Sequence, residues 1–277
     1  MRHFLTSIVA MAMPASAIPA AMAQTLAVPT AAEQAELDHI VARGRLMRAY
    51  DRAAWLGTDD VLERIPDARN RIGGWIVDGP EATPTVIFHD RARPPHALYS
   101  ARLVGDRLVD TKLPTDDAAT LPPERLRLIA ARDVATRTMN AAGLRSCTSP
   151  FNTLVIPPAT AGAPTSVYFL TPQTKVGELP IGGHYRVDVA ADGTAGTPYA
   201  FSKSCMTLPP PENGRRVALA AVSTLTAPLP NETHSFVVEA YRRPLVVIIP
   251  NPSRAFILQP GRPARPFTMT DTRAPSP

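Results

Sequence analysis

The chain has 277 residues, 45% of them hydrophobic and 19% charged, with a formal net charge of +5. That apolar share suits a globular protein, and a chain of this length buries roughly 70–75% of its unfolded surface. The positive charge is too small and too dispersed to indicate a nucleic-acid partner. The excess of Arg over Lys, with lysine only at Lys112, Lys175 and Lys203, reads as the imprint of a GC-rich genome.

Residues 1–23 have the three parts of a signal peptide: a basic start at Arg2 and His3, an apolar run from Phe4 to Met13, and small residues before a cut. Pro14 and Pro19 end any helix there. Ala21-Met22-Ala23 places the cleavage between Ala23 and Gln24. The apolar run is shorter than the ~20 residues that span a bilayer, which argues against a membrane anchor. No cysteine sits near the cut and no twin-arginine pair precedes the run, so export is expected to end in release into the periplasm or medium. No later run is long enough to cross a membrane; the densest, Leu245 to Ile249, is strand-sized.

Ala32 to Trp55 reads as the first helix, with Leu37, Ile40, Val41, Gly44, Met47 and Tyr50 on one face. Arg43, Arg45, Arg48 and Arg52 line the other, a stripe that is either simply solvated or in touch with anionic lipid. Gly57-Thr58-Asp59-Asp60 is expected to end this helix, with a short helical piece following to Arg64. Gly74–Val77, Thr85–Phe88, Leu98–Val104 and Arg107–Val109 then read as an antiparallel meander, its last turn at Gly105-Asp106. The second helix runs from Leu121-Pro122-Pro123-Glu124 to Ala142, with Leu126, Ile129, Ala130, Val134 and Ala141 as its apolar face and Gly143 as its cap.

Beyond Phe151 the pattern is strands and proline-rich turns: Asn152–Ile156, Ser166–Leu170, His184–Ala190, Tyr199–Ser204, Val217–Leu225, Ser235–Ala240, Leu245–Ile249 and Ala255–Leu258. The last three are expected to form a meander. Asn231-Glu232-Thr233 fits a glycosylation sequon but is read as a turn, and Pro209 to Gly214 as an exposed loop. From about Gly261 to Pro277 four prolines and weak periodicity suggest a flexible tail. Clustered strands with two main helices define an α+β chain of antiparallel meanders. Its regions are 1–23, 24–143, 144–260 and 261–277, the middle two forming one domain or two.

Cys147 and Cys205 are the only cysteines, an even number in an exported protein, and are expected to form a disulfide that constrains the unfolded chain by roughly 4 kcal/mol. The rival reading is a reactive Cys205 thiol activated by Lys203. His184, Arg186 and Asp188 alternate along one strand and so share a face; His and Asp suit proton transfer, and Arg suits holding a carboxylate or phosphate. The plainer reading is the polar side of a half-exposed sheet. The histidines His39, His89, His96, His184 and His234 show no ligand spacing, and His89-Asp90 with His96 frames at most a loose site, so no metal is expected. Gly-x-Ser-x-Gly, GxGxxG and phosphate-loop patterns do not occur, and no cofactor is expected.

Phe201-Ser202-Lys203-Ser204-Cys205, Gly182-Gly183-His184-Tyr185-Arg186, Thr233-His234-Ser235-Phe236-Val237 and Arg243-Pro244-Leu245 resemble segments of uncharacterised exported proteins of GC-rich Gram-negative bacteria, over most of residues 40–260. The resemblance implies a periplasmic address and no particular chemistry. The expected function is a non-enzymatic binding or structural role toward an envelope protein or small molecule. The alternative is a periplasmic hydrolase centred on His184, Asp188 and Cys205.

Overall fold

The computed structural model describes residues 28–148, 150–210 and 219–267. The signal segment with its Ala23–Gln24 junction, most of the loop after Pro209, and the end of the tail lie outside the described residues.

Helix α1 spans Ala31–Arg64. Thr30 starts it through a capping box, its hydroxyl accepting from the Glu33 amide at 3.2 Å while the Glu33 carboxylate accepts from the Thr30 amide at 2.9 Å. The helix runs through Gly57-Thr58-Asp59-Asp60, where the sequence suggested a stop. Thr58 folds its hydroxyl back to the Ala54 carbonyl, and Asp60 pairs with Arg64 one turn on. Gly57 is there for packing, since a Cβ would meet Val86 Cγ1 at 2.8 Å. A single turn, α2 (Ala68–Arg71), follows.

The expected meander is present as β1 (Gly74–Asp78), β2 (Thr85–His89), β3 (Ala97–Val104) and β4 (Arg107–Lys112), hydrogen-bonded in that order. Helix α3 occupies Pro123–Ala141, with Pro122 as its cap and Pro123 in its first turn. A second antiparallel sheet orders β5 (Asn152–Ile156), β6 (Thr165–Leu170), β8 (Tyr185–Val189) and β9 (Tyr199–Ala200). The expected strand Tyr199–Ser204 is cut to two residues, because Ser202 turns to accept from the Gly183 amide. A two-stranded ribbon joins β7 (Leu179–Pro180) to β10 (Thr207–Leu208).

The C-terminal part departs most from expectation. Ser235–Ala240 is not a strand but lies within helix α4, Glu232–Tyr241. Asn231 caps it, its side-chain oxygen accepting from the amides of Thr233 at 3.1 Å and His234 at 3.2 Å. The sequon-like triplet is therefore a helix start rather than a free turn. Helix α4 links β11 (Ala220–Ser223) to β12 (Leu245–Ile249) as a parallel pair, so the expected final meander becomes a β-α-β crossover. Strands β13 (Arg254–Leu258) and β14 (Arg265–Pro266) complete that sheet antiparallel. The start of the expected tail is ordered: Ala264 and Phe267 are buried and Arg265–Pro266 is paired.

Strand alternation sorts the core into two layers. Val77, Leu154 and Ile156 face α1 and α4, whereas Ile76, Val155, Val167 and Val187 face α3. Helix α3 touches β1, β5, β6 and β8, and so crosses from the first sheet to the second. Both core layers draw residues from either side of residue 143. The chain is α+β, as its strand clustering implied. Among the described residues no helix is long and apolar enough to cross a membrane.

Candidate functional site

The residues singled out in the sequence have two different fates. Arg186 and Asp188 do share a face of β8, opposite Tyr168 and Ser166 on β6. Arg186 Nε donates to Asp188 at 3.1 Å, and its terminal nitrogen donates to Glu232 at 2.6 Å. Ser166 donates to Asp188 at 2.7 Å and Tyr168 to Glu232 at 3.1 Å. The Arg186 guanidinium also lies 5.6 Å and 5.9 Å from the ring centres of Tyr199 and Phe201. Burial alone would lower the Arg186 pKa, but Tyr168, Glu232 and Asp188 outweigh it and hold it above the ordinary value.

His184 stands apart from them. It precedes β8 and is buried, because Gly183 at φ +74° turns the chain inward. Its Nε2 donates to the Pro180 carbonyl at 2.9 Å and its Nδ1 accepts from the Thr171 amide at 3.0 Å. Burial pushes its pKa down to about 4. Of the three-residue face expected from alternation, two members join an ion-pair network with Glu232, beside a buried neutral histidine.

Cys147 and Cys205 are joined in a disulfide, Cα–Cα 5.6 Å, and neither carries a free thiol. A reactive Cys205 is overturned by this bond. Gly183 is obligatory beside it, since any Cβ there would collide with Cys147 Sγ. Three of the four arginines in the basic stripe of α1 are paired: Arg45 with Glu81, and both Arg48 and Arg52 with Asp106. Asp90, in the loop once considered for a metal, braces that loop by accepting from the amides of Ala92 and His96. Among the described residues no three potential metal ligands cluster.

Two concave surfaces lie along α3. The larger, about 810 Å³, is mostly apolar and runs between Leu128, Ala131 and Val134 of α3, the β5–β6 turn and the turn after β8. The second, about 500 Å³, sits at the C-terminal end of α3. Its apolar lining is Met139, Leu144, Phe151 and Phe169; its polar lining includes Arg132, Asn140, Arg145, Ser146 and Thr153. Phe151 packs edge-on against Phe169, with centres 5.7 Å apart, and fixes that wall.

Arg132 is the residue that the sequence reading missed. It lies four residues after buried Leu128 and three before buried Ala135, on the face of α3 that points inward. Its guanidinium lies 4.4 Å from the centre of the Trp75 ring and donates to the Trp75 carbonyl at 3.2 Å. Gly74 makes room for it: a Cβ there would strike Arg132, and would meet His89 Nε2 at 2.9 Å. Among the described residues no carboxylate lies within ion-pair distance of Arg132. Burial holds its pKa below the ordinary arginine value, and the neighbouring Asp133 partly offsets that. A guanidinium stays protonated through such a shift, so this is a partly buried cation without an acidic partner. The hydroxyl of Ser146, in the same pocket, is buried and has no partner either.

No protein-family model, no curated protein and no solved structure matches this chain.

Proposed function

We propose that the chain is an exported protein, released into the periplasm by cleavage after Ala23, that binds a small molecule without turning it over. The observation that carries this reading is the state of the sequence-predicted acid–base face. Asp188 and Glu232 are both paired with Arg186, and both nitrogens of His184 are spent on backbone groups. Proton transfer needs a group free to reach substrate, and here these groups hold strands β6 and β8 to α4 instead. The hydrolase alternative has also lost its nucleophile, since Cys205 is in the disulfide. The pockets along α3 offer concave, largely apolar walls with a few polar groups, the usual form of a small-molecule seat. The disulfide is consistent with an oxidising compartment.

Two measurements test the proposal. N-terminal sequencing of protein recovered from osmotic-shock fluid is expected to start at Gln24; an intact N-terminus in the cytoplasmic fraction rejects the export claim. The purified chain is then offered chromogenic esters, phosphoesters, glycosides and peptides, and a fragment set by ligand-observed NMR. Binding without turnover supports the reading. Turnover that disappears in Asp188→Asn restores the hydrolase and overturns it.

A further inference from the structure

The pocket at the end of α3 has an unusual polar inventory. Its lining holds two guanidinium groups, from Arg132 and Arg145, and no carboxylate. Asn140, Ser146 and Thr153 add hydrogen-bond donors. Arg132 has used one of its five donors on Trp75 and has no acidic partner, and Ser146 has used none. Leaving buried donors unmatched costs free energy, and an unmatched buried cation costs more. Three other inward arginines of the chain have acids, Arg186 with Asp188 and Glu232, Arg125 with Asp78, and Arg254 with Glu33, whereas Arg243 donates to the carbonyls of Gly177 and Pro209. Arg132 combines the lack of an acid with a place in the lining of a pocket.

We infer that this pocket is the seat of a small organic carboxylate with an apolar body, its charge held by Arg132 and capped by Ser146 and Arg145. The inference rests on the reading of the chain as a small-molecule binder and names the ligand class. A guanidinium fork matches a carboxylate with two parallel hydrogen bonds. Phe151, Phe169, Met139 and Leu144 supply the wall for the apolar body. The C-terminal end of α3, beside the pocket, carries partial negative charge and works against any anion. The amides of Ala142, Gly143 and Leu144 cap several of its last carbonyls and blunt that opposition. One buried cation and one exposed cation facing a helix C-terminus favour a monoanion over a dianionic phosphate.

Benzoate, phenyl phosphate and benzyl alcohol are the probes, titrated into the disulfide-intact chain and followed by protein NMR shifts at Ser146 and Phe151. Benzoate is expected to bind at least ten-fold more tightly than benzyl alcohol, and more tightly than phenyl phosphate. Arg132→Gln is expected to remove most of the preference for benzoate over benzyl alcohol. Because that variant alters a core position, Ser146→Ala and Arg145→Gln provide the independent check. Their side chains make no bond that the fold needs, and each should weaken benzoate three- to ten-fold with benzyl alcohol unchanged. Equal binding of benzoate and benzyl alcohol overturns the carboxylate assignment and leaves the binder reading standing. Tighter binding of phenyl phosphate than benzoate also overturns the assignment, in favour of a phosphate ester. No shift with any probe in this pocket, alongside fragment binding elsewhere, rejects the site but not the binder.

Discussion

Acid should weaken this fold from about pH 6.5 downward, where His184 and His234 take up protons in the unfolded chain but not yet in the folded one. Both are buried, and burial holds their pKa values at about 4 and about 3 against an ordinary 6.5. The geometry explains the resistance to charging. His184 already carries a proton on Nε2, donated to Pro180, and a second has only Nδ1 to occupy, where it would break the bond from Thr171. His234 Nδ1 likewise accepts from the Asn231 amide, and a charge on either imidazole opposes a charge on the other. A histidine whose folded pKa is depressed leaves the unfolded chain to bind the proton first. Its stability contribution is intact above 6.5 and is lost as pH falls toward the folded value. Asp51 acts in the opposite sense. Burial, outweighing its bond from Asn152 and the charges of Arg48 and Arg52, raises its pKa from 3.8 to about 6. Its folded form gains relative stability as pH falls from 6 toward 3.8. Between pH 7 and pH 5 the two histidines withdraw about 4 kcal/mol and Asp51 returns about 1, a net loss of about 2–3 kcal/mol. With a urea slope of about 3 kcal/mol per molar, the midpoint followed through Trp55 and Trp75 fluorescence should drop by about 1 M between these pH values. Asp51→Asn should deepen the drop by a further few tenths of a molar, because it removes the opposing titration. An equal or higher midpoint at pH 5 would refute the assignment of both histidines as neutral structural groups.

Three substitutions test the frame that holds the pockets. Gly44→Ala places a methyl where Ser235 and the Phe236 amide of α4 press on α1, and should cost about 1–3 kcal/mol in urea unfolding; a neutral effect would mean the helices separate easily. Asn231→Ala removes the α4 cap and should cost about 1–2 kcal/mol, with Asn231→Asp largely restoring it. Replacing both Cys147 and Cys205 with serine should cost about 2–4 kcal/mol and loosen the wall that carries Arg145 and Ser146, read as increased amide exchange there; unchanged exchange would separate the disulfide from the pocket.

Local chemistry was legible in the sequence wherever it was also what the fold obeyed. Pro122-Pro123 and Gly143 bracket α3 because proline tolerates a first turn and glycine a left-handed exit. Cys147 and Cys205 pair because nothing competes with either for the other. The errors came where tertiary context overrode local preference. Phe236-Val237-Val238 reads as a buried strand because a short apolar run has no visible period, and only the Asn231 cap and the close approach to Gly44 mark it as helix. Gly57 reads as a stop because its packing against Val86 is a contact distant in sequence. The candidate face at His184, Arg186 and Asp188 was read from alternation alone, which cannot reveal that Gly183 turns His184 inward or that Glu232 arrives from α4 to neutralise Arg186.

Arg132 was legible in principle, and its omission identifies the signal worth seeking. The face assigned to α3 from Leu126, Ile129, Ala130 and Val134 is rotated from the one the fold buries, Leu128, Ile129, Ala131, Ala135 and Met139. On the correct face an arginine interrupts the stripe. An arginine there is expensive to bury, so its presence asks for a compensating charge. The fold supplies Trp75 and its carbonyl, and Gly74 to admit the guanidinium, but no acid. These groups lie on β1, in the first sheet, whereas in the aromatic wall Phe169 lies on β6 of the second and Phe151 immediately precedes its β5. A ligand in the pocket would therefore touch, through one helix, elements of both sheets. Gly74→Ala tests that arrangement without removing a single donor. It should displace Arg132 from Trp75 and abolish the preference for benzoate over benzyl alcohol, while leaving the apolar wall able to bind both equally. If benzoate retained its advantage in this variant, the position of Arg132 over Trp75 would be irrelevant to the site.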